Sequence, residues 1–325
     1  MSQTVDEVIL SEVAEKSYPV QRRVVLPVAL FLLTMGSTFV AGATMWVPQA
    51  YMLDWFSESS ANTAINLRLA LLQHWDTGLA YMACLLLMLL AHEMGHFVAT
   101  LYYRVPASFP YFLPFPISPL GTLGAVIRMD SRDADRKQMF DIGIAGPLAG
   151  LVVAVPLLFI GTQRLDLTQA APIPPIEQGH LFDLGLPLGS RFLLDQIQPP
   201  GYEKQTQISV LQINPYFMAG WVGLLVTAIN MMPVSQLDGG HILYALFGRG
   251  AHWIARGFMV TAVAYMVYSN AYWMTIMLGL ILLIGVDHPP TSNDRAPLGP
   301  VRWVLGLVSL AIPILSLTLE PLIPR

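Results

Sequence analysis

Residues 78–103 read GLAYMACLLLMLLAHEMGHFVATLYY, an apolar run broken by one cluster, His92-Glu93-Met94-Gly95-His96. A run of this length spans a bilayer as a helix. Charged and titrating side chains at that depth are costly and mark function. On a helix His92 and His96 project from one face, four residues apart, and that spacing lets two imidazoles grip one metal ion. Glu93 lies beside that face, where it can serve as general base toward a metal-bound water. Two plainer readings stand beside this one: hydrogen-bonded core histidines, or a pair holding a haem.

Composition narrows the choice. The chain has 325 residues, 54% of them hydrophobic and only 12% charged, with a mean hydropathy of +0.56. A soluble domain is nearer a quarter charged, so the expected class is an all-α polytopic membrane protein. A formal net charge of −4 gives no basis for nucleic-acid binding. One cysteine, Cys84, excludes an internal disulfide and a cysteine-rich zinc knuckle. It reads as a small buried hydrophobe, so a metal must rely on histidines and carboxylates.

Residues 1–21 carry Asp6, Glu7, Glu12 and Glu15 ahead of the first basic cluster, a pattern unlike a signal or transit peptide. They read as a cytoplasmic extension, helical from about Val5 to Lys16. Residues 22–325 read as one membrane domain. A first span is expected from Val24 to Val47, after Arg22 and Arg23. The loop from Pro48 to Asp76 has Arg68 as its one basic residue and so faces outward. The second span, Thr77 to Tyr103, then runs inward, and Arg104, Arg128, Arg132, Arg136 and Lys137 follow it.

Between them and the third span lies VPASFPYFLPFPISPLGTLGAVIRM, residues 105–129. It is apolar but too rich in Pro and Gly for a plain helix. A short strand is expected over Thr122–Met129. Two readings are open: a hairpin lining the entrance to the metal site, whose free edge can pair with an extended peptide, or an ordinary hairpin lying on the membrane.

The third span runs from about Phe140 to Ile160. Gly143, Gly146 and Gly150 there allow close helix packing, and Pro147 offers a kink. Gly161 to Pro215 reads as an outer loop without a folded domain, with an extended Pro-rich piece at Ile173–Ile176. The fourth span, Tyr216 to about Met232, returns inward. Ile254 to Val286, interrupted at Ser269-Asn270, fits two short hairpinned helices better than one long tilted helix. A last span is expected over Val301–Ile323. The count is seven spans, with six as the runner-up. A catalytic core of three spans lies at about 78–250 and C-terminal helices at about 254–325.

Spans two and four both run inward, so Asp238, in Leu237-Asp238-Gly239-Gly240, reaches the depth of His92 and His96. A carboxylate there completes the three protein ligands of a catalytic zinc. The alternative for Asp238 is the N-cap of a helix over Gly239–Phe247. His241 reads as a polar helix residue. His74, His180, His252 and His288 read as solvated.

With these pieces in place the chain resembles the site-2 protease family of intramembrane zinc metalloproteases. The resemblance rests on His92-Glu93-x-x-His96, on Asn230-x-x-Pro233 followed by Leu237-Asp238-Gly239, and on Gly143-x-x-Gly146-Pro147. It covers about Gly78 to Gly250. It implies one zinc ion held by His92, His96 and Asp238, Glu93 activating the water, and Asn230 near the scissile carbonyl. No segment reads as a PDZ domain or a CBS pair, so the likeness is to the compact members, including the plastid branch. The resemblance also implies a single-span membrane protein as substrate. A cell inner (plasma) membrane is the expected location, with the N-terminus cytoplasmic and the site toward that side. Oligomeric state is left open. A metalloprotease working on soluble chains would need a Glu from a later span, and none precedes Glu320. The alternative from another class is a membrane metal transporter or haem-binding protein, for which Met231-Met232 is the nearest further donor pair.

Overall fold

The computed structural model describes residues 24–53, 60–169, 181–271 and 274–324. The N-terminal extension with its expected helix, the acidic residues Asp54 and Glu58, and the Pro-rich piece at Ile173–Ile176 lie outside them. In chain order the helices are α1 (Val25–Ala43), α2 (Pro48–Leu53), α3 (Ser60–Gln73), α4 (Trp75–Tyr103), α5 (Arg136–Gln163), α6 (Leu188–Ile197), α7 (Pro215–Asn230), α8 (Asp238–Phe247), α9 (Ala251–Tyr268), α10 (Thr275–Ile284), α11 (Pro300–Ser309) and α12 (Ile312–Ser316). The strands are β1 (Tyr111–Pro114), β2 (Thr122–Val126), β3 (Phe182–Gly185), β4 (Gln207–Ser209) and β5 (Leu322–Pro324).

Helix α4 is 29 residues long, about 43 Å at 1.5 Å per residue, against a hydrocarbon core of about 30 Å. Gly78, Tyr81, Leu85, Met88, Leu89, His92 and Glu93 are buried along it. This is the three-to-four spacing of one helix face, so the metal-binding pair continues the packed stripe. Helix α5 starts at a capping box in which Asp135 accepts from the Gln138 N–H and Gln138 accepts from the Asp135 N–H. Helix α7 starts at Asn214, whose side chain accepts from the Phe217 N–H, with Pro215 in the first turn. These three helices form the centre. Small residues set the helix spacing: a Cβ on Gly223 of α7 would come within 2.7 Å of the Ala154 Cβ of α5, and one on Gly78 of α4 within 2.8 Å of the Phe39 carbonyl of α1.

β1 and β2 pair antiparallel, with Tyr111 opposite Val126 and Phe112 opposite Ala125. The hairpin is seated on α1 and α4. Ser37 Oγ donates to the Gly121 carbonyl at 2.7 Å and Tyr81 Oη to the Leu120 carbonyl at 3.0 Å, while the rings of Phe31 and Phe112 meet edge to face. Residues 125–129 line a cavity together with Glu93, His96 and Asp238. The pairing continues past β2: Ser108 N–H donates to the Arg128 carbonyl at 3.0 Å, and Arg128 N–H to Ser108 Oγ at 2.9 Å. Among the described residues the other edge of β2 pairs with no strand.

The segment expected as an outer loop without a folded domain carries regular structure over its described residues. β3 lies between β4 and β5, antiparallel to both, with Asp183 opposite Ser209 on one side and Ile323 on the other. Leu184, Leu186, Leu194, Ile208 and Val210 are fully buried beneath it. Trp221 Nε1 donates to the Gly185 carbonyl at 2.9 Å and ties the sheet to α7. Strands of three or four residues are too short for periodicity to reveal, and the third strand comes from the far end of the chain. The pairing also shortens the last apolar segment, which ends at Ser316 rather than Ile323. The expected loop at 48–76 likewise contains α2 and α3.

Among the described residues three helices, α1, α4 and α5, are long and apolar enough to cross a membrane. Pro215–Asn230 and Pro300–Ser316 are shorter apolar segments. The expected hairpin of short helices appears as α9 and α10, packed together through Met259, Ala262, Met274 and Leu278.

Candidate metal centre

His92 and His96 project from α4 toward the first residue of α8. The two Nε2 atoms are 3.3 Å apart. His92 Nε2 lies 3.3 Å from Asp238 Oδ2, and His96 Nε2 lies 3.3 Å from Asp238 Oδ1. Each ring faces a different oxygen of the one carboxylate, and one donor atom from each of the three residues lies within 4.8 Å of the others, close enough to share a single ion with ligands at about 2.0 Å. Asp238 Oδ2 is buried without a hydrogen-bond partner among the described residues, which a metal ion held there would remedy. The three residues are also the one group of donors, among the described residues, spaced to hold a metal ion. Helix α8 begins at Asp238 itself, after Leu237 and with no side-chain cap, so the carboxylate is not spent on capping.

The helices around the site keep these donors aimed. His96 Nδ1 donates to the Ile142 carbonyl at 2.7 Å, a contact that leaves the Nε2 lone pair facing the ligand position. The glycines of α5 serve this purpose more directly than general packing: the His96 ring lies over Gly146, and a Cβ on Gly150 would come within 3.0 Å of His92 Nδ1. Gly150→Val is therefore expected to push the His92 ring aside and weaken metal retention by about 10- to 100-fold. Metal content during stepwise chelation would read this, and unchanged retention would show that the ring does not need the space.

Glu93 is buried, 4% exposed, and lines a cavity of about 320 Å³ together with His96, Asn230, Asp238, Gln236 and the strand residues 125–129. Asn230, the last residue of α7, places its amide Nδ2 3.1 Å from His92 Nε2. The five residues singled out in the sequence thus converge, from three separate helices.

Other contacts were not legible. Arg302 of α11 forms a two-pronged ion pair with Asp141, 2.8 Å on each prong, and Tyr103 Oη also donates to Asp141. This clasp holds α4, α5 and α11 together one residue from the carbonyl that orients His96. His288 corrects the expectation of a solvated loop histidine: it is 5% exposed, with Tyr244 stacked on it at 4.5 Å between centroids. Burial pushes its imidazole down to about 4, so the ring is neutral at pH 7. His241 Nδ1 lies 2.6 Å from His288 Nε2. His252 Nε2 donates to the His288 carbonyl at 3.0 Å. Hydrogen bonds to Arg256 hold the Asp287 carboxyl below its usual range.

The profile described as Peptidase family M50 matches residues 80–278, a stretch that includes every ligand position. The chain is 32% identical over 320 residues to a protein of Arabidopsis thaliana named probable zinc metalloprotease EGY1, chloroplastic, covering 95% of this chain and 55% of that protein. The rice protein of the same name is 32% identical over 316 residues, with 94% and 52% covered. A second Arabidopsis protein, probable zinc metalloprotease EGY2, chloroplastic, is 27% identical over 248 residues, with 73% and 40% covered. The chain spans about half the length of the curated relatives it matches. Their names specify zinc, and two imidazoles with one carboxylate are a donor set that suits it.

Proposed function

Because the chain belongs to peptidase family M50, we propose that it is an intramembrane zinc metalloendopeptidase of the site-2 protease kind, cutting single-span membrane proteins. The observation that carries this reading is the cluster of His92, His96 and Asp238 beside a cavity that Glu93 and the strand residues 125–129 also line. Zinc, when bound, supplies a Lewis acid and lowers the pKa of water toward neutrality. Glu93 takes the proton from the attacking water and passes it to the leaving nitrogen. The Asn230 amide donates a hydrogen bond where negative charge develops on the scissile carbonyl. A helical substrate hides its peptide groups and must unwind before it can be cut. The free edge of β2 would hold the unwound segment as an added strand.

Residues 104–137, with Arg104, Arg128, Arg132, Arg136 and Lys137, face the compartment that receives the cleaved fragment. In a cell inner membrane this is the cytoplasm, and the fragment released there would carry a signal. A zinc-loaded full-length chain in detergent micelles should cut a quenched-fluorescence peptide built on one apolar span, toward its cytoplasmic end. Ile127→Pro removes an N–H from the segment that continues β2 along the cavity. It should raise KM about tenfold, the worth of one or two hydrogen bonds. Cleavage of a soluble unfolded chain in preference to the span, with Ile127→Pro indifferent, would overturn the intramembrane reading.

A further inference from the structure

The pair His241–His288 lies behind the metal centre, and no step above uses it. Its hydrogen bonds fix which nitrogens carry protons. His288 Nδ1 lies 2.5 Å from the Pro289 carbonyl, an acceptor only, so Nδ1 is the protonated nitrogen of that ring. Its Nε2 therefore carries a lone pair, and the short contact to His241 requires His241 Nδ1 to donate. His241 Nε2 is then left as an acceptor. His241 lines the same cavity as Glu93, His96 and residues 125–129, whereas His288 is not among its lining residues.

Two features lock the pair in place. Tyr244 stacks on His288 and donates through Oη to Asp294 at 2.9 Å, and Asp294 accepts in turn from the N–H and hydroxyl of Thr291. On the other side the His241 Cβ lies over Gly143 of α5, where a glycine Cβ would meet it at 3.0 Å. The loop after α10 thus sets the tautomer of a ring in the cavity.

Resting on the protease reading, we infer that His241 binds substrate directly, its Nε2 accepting a hydrogen bond from a peptide N–H of the segment held along the β2 edge. His288 is a positioning residue that keeps the His241 lone pair on Nε2. An extended peptide exposes N–H groups on both of its edges. The β2 edge can pair with one of these and leaves the other in need of acceptors. His241 supplies one from the α8 side.

The test uses the full-length, zinc-loaded chain and the same quenched single-span peptide. His241→Phe keeps a ring and removes both nitrogens. It should lower kcat/KM about tenfold, mainly through KM, with metal content unchanged. In the Glu93→Gln background, where no turnover intervenes, it should weaken peptide binding by a similar factor, read by fluorescence anisotropy. His241→Gln, whose side-chain carbonyl reaches near the Nε2 position, should recover most of the loss. His288→Phe keeps the stack on Tyr244, does not border the cavity, and should still raise KM. Wild-type KM in His241→Phe, or failure of His241→Gln to recover binding, would reduce the ring to packing and overturn the inference. Metal loss in His241→Phe would overturn it too, by giving the ring to the metal site. In each of these cases wild-type cleavage that depends on Glu93 leaves the protease reading standing. No cleavage by the zinc-loaded wild type would end both.

Discussion

Glu93→Gln is expected to abolish peptide cleavage while leaving the metal bound. The substitution replaces one carboxylate oxygen with an amide of nearly the same shape at a buried position, so packing along α4 is unchanged. The amide cannot take a proton from water, and general-base catalysis of this kind contributes about 10²- to 10⁴-fold. Glu93 is not among the three donors at the metal site, so zinc content should stay near one per chain. Cleavage and metal content measured on one preparation decide the matter. Activity within tenfold of wild type would mean that another group accepts the proton, and the assignment of Glu93 would fall.

Asp238→Ala is expected to have an equally large effect through a different loss. It removes the one oxygen donor from the cluster and leaves two imidazoles 3.3 Å apart. Changes in the outer shell of a metal site already cost about 10- to 100-fold in affinity, so loss of a ligand should cost more than that. Metal content should fall toward zero on gentle dialysis, and cleavage with it. The alanine also empties a buried position at the start of α8, so Asp238→Asn serves as a second variant that keeps the volume. Zinc retained at one per chain in both would place the third ligand elsewhere.

The centre was legible because its grammar is local or topological. His96 follows His92 by four helix positions, and the sequence states that spacing outright. Asp238 is far along the chain, but counting spans and basic loops placed it at the same depth, and the structure brings it within bonding range of both rings. Asn230 belongs to the same segment and arrives beside His92. The glycines of α5 were legible as a close-packing face, but not as the floor beneath two imidazoles, since their partners lie on other helices. His288 was misread because polar, Pro-rich sequence around it looks solvated. Its burial depends on Tyr244 and His241, more than forty residues earlier. Arg302 and Asp141 find each other across 161 residues, a distance over which no pattern in one sequence gives warning.

The order β4-β3-β5 has a further consequence for assembly. β3 sits in the middle of its sheet, yet one of its neighbours is synthesised only after α7 to α12 have followed it. Until then β3 presents an open edge, a template for adhesion to any extended chain nearby. Closure of that edge is a long-range event, slow by the logic of contact order. It also requires residues 300–316 to deliver β5 to the same side of the membrane as β3. A chain whose late segments insert the wrong way round cannot complete the sheet. The three-stranded sheet therefore closes only when β3 and β5 lie on one side, and the edge of β3 stays open when they do not.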